Sequence, residues 1–397
     1  MNTVLRNCRF IQELTEGFNK TFGDLLIIDD KIAQIEEAGF DFNGEFKEID
    51  VQGKTVMPGL FELHTHLTLD NTDYDANLLY DDNTLLIKSY AFAKEYLKSG
   101  YTTVRDCGAR GNVTVAINEA IKDGILVGPR IISCSQIVTP TETGNESFGE
   151  MYIEADGCDE MRKACRKQFK KGADFIKVMG TGAFLNNAGD PGMQIMEQEE
   201  MEECVRTAKM KKSYVAAHCH SDAGVRCAIK AGVRTIEHGA FIEEDTVDLL
   251  LNTPDSFLIP TAAIGMECLS DENDNVTDDI LDKSKKFEEK EKNCINRAYR
   301  KGLLMGFGSD IDMDAFMRVP GYEFIARKEF YDFENIDILK QATINSAKII
   351  NVDDKLGTIK VGKLADIIVI DGNPDEDVYV MAKRPVHVFL EGAKINV

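Results

Sequence analysis

Residues 214–239 read YVAAHCHSDAGVRCAIKAGVRTIEHG, two short apolar runs that each end on histidine, with a longer amphipathic stretch between them. Short apolar runs bounded by turn residues predict strands. A strand, an amphipathic crossover and a second strand predict a parallel pair. The same rhythm extends in both directions. Eight candidate strands follow one another: VMPGLFELH (56–64), YTTVRD (101–106), RIISCSQIV (130–138), DFIKVM (174–179), YVAAH (214–218), TIEH (235–238), SFLIPTAA (256–263) and LLMGFGSD (303–310). Helical patterns such as MEQEEMEECVRTAKMKK (196–212) separate them. Eight such units are the number that closes a TIM-like (β/α)8 barrel, so the expected class is α/β. A doubly wound open sheet would carry a glycine-rich phosphate turn after its first strand. No GxGxxG follows any of these runs, and the GTG at Gly180–Gly182 lacks the third glycine.

Outside this region the texture changes. Residues 1–55 alternate short β-like runs with turns, in TVLRNCRFI (3–11), DLLIIDDKIAQIEE (24–37) and FKEIDVQGKTVMPG (46–59). A similar texture returns in KLGTIKVGKLADIIVIDGN (355–373) and PVHVFLEGAKINV (385–397). Residues 1–55 and 355–397 are therefore expected to pair as one composite β domain around a barrel of residues 56–354.

Bulk composition limits the partners. The 397 residues carry 46 basic and 68 acidic side chains, a formal net charge of -22, which opposes binding to nucleic acid and to anionic membranes. Part of the excess lies in DENDNVTDDILDKSKKFEEKEK (271–292), read as a solvated loop and an exposed helix. No apolar run reaches the roughly 20 residues that span a bilayer. The ten cysteines have no CxxC spacing and MNTVLRNCRF lacks a secretory apolar run, so reduced thiols in a cytoplasmic protein are expected.

Five of the six histidines, His64, His66, His218, His220 and His238, fall at the ends of expected strands 1, 5 and 6. Residues two apart on a strand share a face, so His64 and His66 can point into one cavity. Barrel active sites gather at the C-terminal strand ends, which brings distant histidines together. Asp310 ends the last strand, where its carboxylate can be a ligand, can accept a proton from a metal-activated water, or can simply cap the next helix. Lys177 ends strand 4, where an apolar neighbourhood would favour a neutral amine; such an amine can add carbon dioxide and become a two-oxygen carbamate. A surface or ion-paired lysine is the alternative.

The segments PGLFELHTH, DFIKVM, AAHCH, TIEHG and GSD, followed by LKQATINSAKIINVDDKLGTIKVGKLADIIVIDGNP, resemble the amidohydrolase superfamily nearly end to end. DFIKVMGTGAFLNNAGDP and HGAFIEEDTVDLL are similar to its zinc-dependent carboxypeptidase and dipeptidase branch, the prolidase-like enzymes. The resemblance implies a barrel inserted into a small β-sandwich built from both termini, and two divalent ions, in this branch zinc. His64, His66 and Asp310 match the ligands of the first ion, His218 and His238 those of the second, and Lys177 the carboxylated bridge. At His220 the resemblance suggests contact with the substrate's terminal carboxylate; a structural hydrogen bond is the competing reading. After strand 3, IVTPTETGNES places Asn145 near a position where relatives commonly carry histidine, which makes Asn145 a candidate oxyanion contact and leaves substrate choice open. His387 is assigned to packing in the β domain.

The expected activity is hydrolysis of the C-terminal amide of a dipeptide or N-acyl amino acid by a metal-activated bridging hydroxide, with Asp310 as the proton carrier. Cyclic-amide hydrolysis and deamination are the rival reactions. Deaminase members tend to lack the bridging lysine and carry a glutamate soon after the strand 5 histidine, which AHCHSDAG does not offer. A binding protein that has lost catalysis is the non-enzymatic alternative. The partners expected are a small-molecule or dipeptide substrate and further copies of the chain in a homo-oligomer.

Overall fold

A computed structural model describes residues 2–70, 78–186, 190–270 and 276–396. The quoted stretch forms strand β12 (Val215–Ser221), the helix Asp222–Ala231 and strand β13 (Thr235–Phe241). The helix starts where Ser221 accepts a hydrogen bond from the Gly224 amide, and stops at Gly232, whose φ of +84° suits glycine. Its Val225, Ala228 and Ile229 face joins the main apolar core.

The parallel strands form two arcs. One contains β6 (Leu60–Thr65), β7 (Tyr101–Asp106) and β8 (Arg130–Ser133). The other runs β10 (Tyr152–Glu154), β9 (Ile137–Thr139), β11 (Ile176–Met179), β12, β13, β14 (Phe257–Ile259). They do not close into one ladder, which corrects the expected closed eight-stranded barrel. Both seams have local causes. RIISCSQIV is broken by Ser135 in the left-handed region (φ +63°), so β8 joins one arc and β9 the other. LLMGFGSD is not a strand: it makes a single bridge, Leu258 to Met305. A Cβ at Gly306 would lie 2.5 Å from Ile259 Cδ1, and one at Gly308 only 2.7 Å from His64 Cβ. The segment therefore lies too close to its neighbours for side chains there, and individual bonds replace the ladder. Gly306 N donates to Leu258 O (3.0 Å), Leu63 N to Phe307 O (2.8 Å) and Asp310 N to His64 O (2.8 Å).

The first expected strand also divides. VMP belongs to β5 (Thr55–Pro58) and LFELH to β6, with the chain turning at Gly59, where a Cβ would lie 2.3 Å from Thr102 Oγ1. β5 belongs to an eight-stranded mixed sheet with β1 (Thr3–Phe10), β2 (Phe22–Ile28), β3 (Lys31–Glu36), β4 (Lys47–Asp50), β15 (Ile367–Ile370), β16 (His387–Leu390) and β17 (Ala393–Ile395). Strands from both ends thus share one sheet, with Leu5, Leu25, Val56, Ile367 and Phe389 in its core. The acidic stretch yields the helix Asp278–Arg300, with residues 271–275 outside the described set. Among the described residues no helix is long and apolar enough to cross a membrane, and all ten cysteines are free.

Beneath the second seam lies Arg327, fully buried. It donates to Glu323 Oε1 (2.6 Å) and to the carbonyls of Gly306 (2.9 Å) and Pro260 (2.5 Å), while Glu323 accepts the amides of Ala262 (3.2 Å) and Ala263 (2.7 Å). This pair ties the end of β14 to the strandless segment. Arg327→Ala leaves Glu323 buried without its cation and should cost about 3–5 kcal/mol in denaturant unfolding, against about 1 kcal/mol or less for the more exposed Arg6–Glu48 pair. Equal costs at both sites would contradict the stapling role.

Candidate metal centre

The chain ends of both arcs converge on one cluster. His64 lies on β6 and His66 just beyond it, Lys177 on β11, His218 and His220 on β12, His238 on β13, and Asp310 ends the strandless segment. His64 Nε2 and His66 Nε2 lie 3.5 and 3.4 Å from Asp310 Oδ1, and His238 Nε2 lies 4.0 Å from Oδ2. The His218 and His238 rings are 4.5 Å apart and those of His64 and His238 4.8 Å. Lys177 Nζ reaches to 3.5 Å from His64 Nε2. Among the described residues three groups have spacing that suits a cation: His64, His66 and Asp310; His218, His220 and His238; and His64, Cys107 and Glu237, whose carboxylate already binds Arg105.

Backbone strain helps to build the cluster. In β13, Thr235 and Glu237 face the interior beside Arg105. Strict alternation would send His238 to the opposite face. Instead His238 adopts φ +70°, which breaks the pleat and turns its ring inward; Asp310 has φ +57°. Each such residue costs on the order of 1–3 kcal/mol, and such strain collects at functional sites.

Surrounding groups fix the imidazole tautomers. His66 Nδ1–H donates to Gly108 O (2.8 Å) and His64 Nδ1–H to Glu237 Oε2 (2.9 Å), so both Nε2 lone pairs turn toward Asp310. His218 Nε2–H donates to Gly182 O (3.1 Å), which leaves its Nδ1 free to ligate, and His238 Nδ1 contacts Thr261 Oγ1 (2.8 Å). Glu237 is itself held by Arg105, which donates to Oε1 (2.7 Å) and Oε2 (2.8 Å), and by Thr235 Oγ1 (2.6 Å). Sequence reading missed Arg105 and Glu237. Glu237 sits in TIEH one residue before a histidine, a position that strand alternation assigns to the interior; nothing around Arg105 in YTTVRD distinguished it.

The electrostatics favour ligand forms. Burial, then Lys177, pushes His64 down to about 4; burial and the neighbouring imidazoles lower His218 and His238, and burial pushes His220 down to about 3. These rings are neutral near pH 7, the state that binds a metal. Burial alone would raise Asp310 and Glu237. For Asp310, His64, His66 and Lys177 outweigh it and hold the carboxyl below its usual range; for Glu237, Arg105 and His64 hold it down at about 2. Lys177 is 1% exposed, and among the described residues no carboxylate lies within ion-pair distance of its Nζ. Neutral imidazoles, an ionised carboxylate and a buried amine with no carboxylate at ion-pair distance fit a divalent-metal centre.

Above the cluster opens a cavity lined by all seven of these residues. His220 is 6% exposed and its Nδ1 has no partner among the described residues, while its ring stacks on His238 at 4.7 Å. Asn145 is not in the lining. Its amide donates to Pro140 O (3.0 Å) and Glu154 Oε1 (2.9 Å). His387, on β16, is likewise outside the cavity.

Histidines and a lysine at the ends of parallel strands, with Asp310 beside them, make a site that could hold a divalent cation in an α/β fold. The sequence profile described as "Amidohydrolase family" matches residues 55–395, and the chain belongs to that family. A solved Xaa-Pro dipeptidase with bound methionine in its active site is similar over 100% of both chains, at 28% identity and a TM-score of 0.89. The ochratoxinase of Aspergillus niger is 25% identical over 370 residues, covering 85% of this chain and 75% of its own. A 5-methylthioadenosine/S-adenosylhomocysteine deaminase of Halothermothrix orenii is 22% identical over 418 aligned positions, 94% of this chain and 85% of its own.

If Glu237 orients His64, Glu237→Gln should weaken metal binding by about 10–100-fold in a chelator-competition titration while the far-ultraviolet spectrum stays native. Unchanged metal affinity would remove Glu237 from the ligand support.

Proposed function

We propose that the chain hydrolyses the C-terminal amide bond of dipeptides or N-acyl amino acids in a binuclear centre. His64, His66 and Asp310 would hold one cation, His218 and His238 the other, and Lys177 would bridge them as its carbamate. The observation that carries this reading is the buried Lys177 amine, without a carboxylate partner, beside the first group of ligands. Addition of carbon dioxide to Nζ forms an N–C bond and releases a proton, turning an amine that is costly to bury as a cation into a two-oxygen anionic ligand. The similarity to an Xaa-Pro dipeptidase supports the dipeptide class.

Divalent cations, zinc in this reading, acidify water and polarise a carbonyl when bound. The chain's own groups do the rest. Asp310 Oδ1 faces His64 and His66, while Oδ2 faces His238; Oδ2 takes a proton from the attacking water and returns it to the departing nitrogen. His220 offers its unpartnered Nδ1 to a polar atom of the substrate. The enclosing apolar side chains Leu69, Met179 and Phe184 limit bulk water at the scissile bond. Deamination is the second reading, favoured by the deaminase relative; Lys177, and the absence of a glutamate in AHCHSDAG, weigh against it.

A panel of dipeptides and N-acyl amino acids, with cyclic amides and adenosine derivatives as controls, separates these readings. Dipeptides are expected to be turned over; activity confined to the controls would sink the proposal. Asp310→Asn should lower kcat by about 10²–10⁴-fold on any accepted substrate while most of the bound metal is retained. Near-normal kcat in that variant excludes Asp310 as the proton carrier. Lys177→Ala should lose metal and turnover together, and mass spectrometry of the native protein should find a labile addition of carbon dioxide on Lys177.

A further inference from the structure

The cavity above the metal centre has two unlike walls. On one side Leu69, Ile137, Phe148, Met151 and Met179 pack as a single apolar cluster, and Phe148 stacks on Tyr152 at 4.5 Å. On the other, Ile264, Cys268 and Leu269 project from the helix Ala262–Leu269, and Ser284, Glu288 and Glu291 from the helix Asp278–Arg300. Positions 284, 288 and 291 follow the i, i+4, i+7 spacing of one helical face, so this face of the acidic helix borders the cavity, with Ser284 buried, Glu291 half-buried and Glu288 exposed at the rim. The sequence reading of residues 271–292 as a solvated loop and exposed helix is corrected for Ser284 and Glu291, while Glu288 is exposed as expected.

This wall presents two carboxyl groups without an answering cation. Among the described lining residues Lys177 is the only lysine or arginine, and it belongs to the metal centre. Among the described residues neither Glu288 nor Glu291 has a lysine or arginine within ion-pair distance. Glu291 is half-buried, and Tyr331 Oη donates to its Oε1 at 2.6 Å, which orients the carboxyl. Burial raises this group to about 7, and Glu323 and Glu288 push in the same direction. A carboxylate kept in such a place is under-compensated until a cation arrives. Cys268, Glu288 and Glu291 line the same cavity as Asp310 and the histidines of the metal centre. The wall is therefore continuous with the site where a scissile bond would lie. A second observation also points to a ligand in this cavity: the buried His220 with its unpartnered Nδ1.

We infer that the substrate of this cavity carries a basic side chain, an ammonium or guanidinium, received by Glu288 and Glu291, while its other residue packs on the Phe148–Tyr152 wall. Ile264 and Leu269 offer an apolar track for the methylene stem of such a side chain, which keeps its charged end at the carboxylates. The inference rests on the reading of the cavity as an amide-hydrolysing site and specifies its substrate class.

The test has two arms on the metal-loaded protein. In the first, kcat/KM is compared for dipeptides carrying arginine, norleucine or glutamate at either position. Arginine is expected to exceed norleucine by about tenfold or more at one position, with glutamate lowest. In the second, calorimetry measures binding of free L-arginine and L-norleucine, which needs no turnover. Both preferences should shrink toward unity in Glu291→Gln and in the more exposed Glu288→Gln, the latter serving if the former does not fold. Hydrolysis without preference for arginine, or ratios unchanged in both variants, overturns the inference and leaves the hydrolase reading standing. If no amide is hydrolysed, that reading fails, and the calorimetric ratio alone decides this one.

Discussion

The arrangement at the strand ends depends on a buried carboxylate, Glu237, gripped by Arg105 on one side and accepting the His64 ring proton on the other. Arg105 and Glu237 are both fully buried, and taking such a pair out of water costs several kcal/mol per ion. Good geometry offsets that cost: two short bonds from Arg105 to Glu237, a third from Thr235, and a fourth from Arg105 Nε to Leu63 O at 2.6 Å. The guanidinium thereby ties β7 to both β6 and β13, across strands from two separate arcs. The same contacts set the His64 tautomer. Removing either partner leaves a bare charge in the interior and an imidazole free to rotate, so interior packing and ligand geometry are one problem here.

A similar economy holds at the open seam. LLMGFGSD gives up its ladder to let Gly306 and Gly308 approach Ile259 and His64, and the left-handed turn at Asp310 then brings a carboxylate back over His64 and His66. Arg327 and Glu323, with Glu62 accepting the amides of His64 (2.8 Å) and Ser309 (3.0 Å), replace the missing strand pairing. Strained residues at the centre are thus supported by buried charged groups around it, as expected where function competes with ideal geometry.

The cluster was largely legible in the sequence because it follows strand periodicity. HTH and HCH each put two imidazoles on one face, and the rings of His218 and His220 do lie 4.6 Å apart. The histidine at the end of TIEH was placed by strand-end convergence alone; alternation would have turned it away, and a left-handed backbone returns it. The seams were not legible. A break at Ser135 depends on tertiary context, and the apolar run LLMGFG reads as strand while its glycines serve close approach. Asn145 was placed by sequence offset from a family motif, and no spacing argument detects that its amide bonds Pro140 O and Glu154 of β10. The acidic helix looked solvated because only one face in three or four of a helix meets a cavity, a pattern hidden by the glutamates and lysines around it.

The most direct test of a two-cation centre is metal stoichiometry by mass spectrometry after zinc reconstitution in bicarbonate buffer, read alongside dipeptidase activity at each loading. The account predicts activity that rises to a plateau at about two ions per chain and disappears on chelation. Full activity in protein stripped of divalent metal would contradict it.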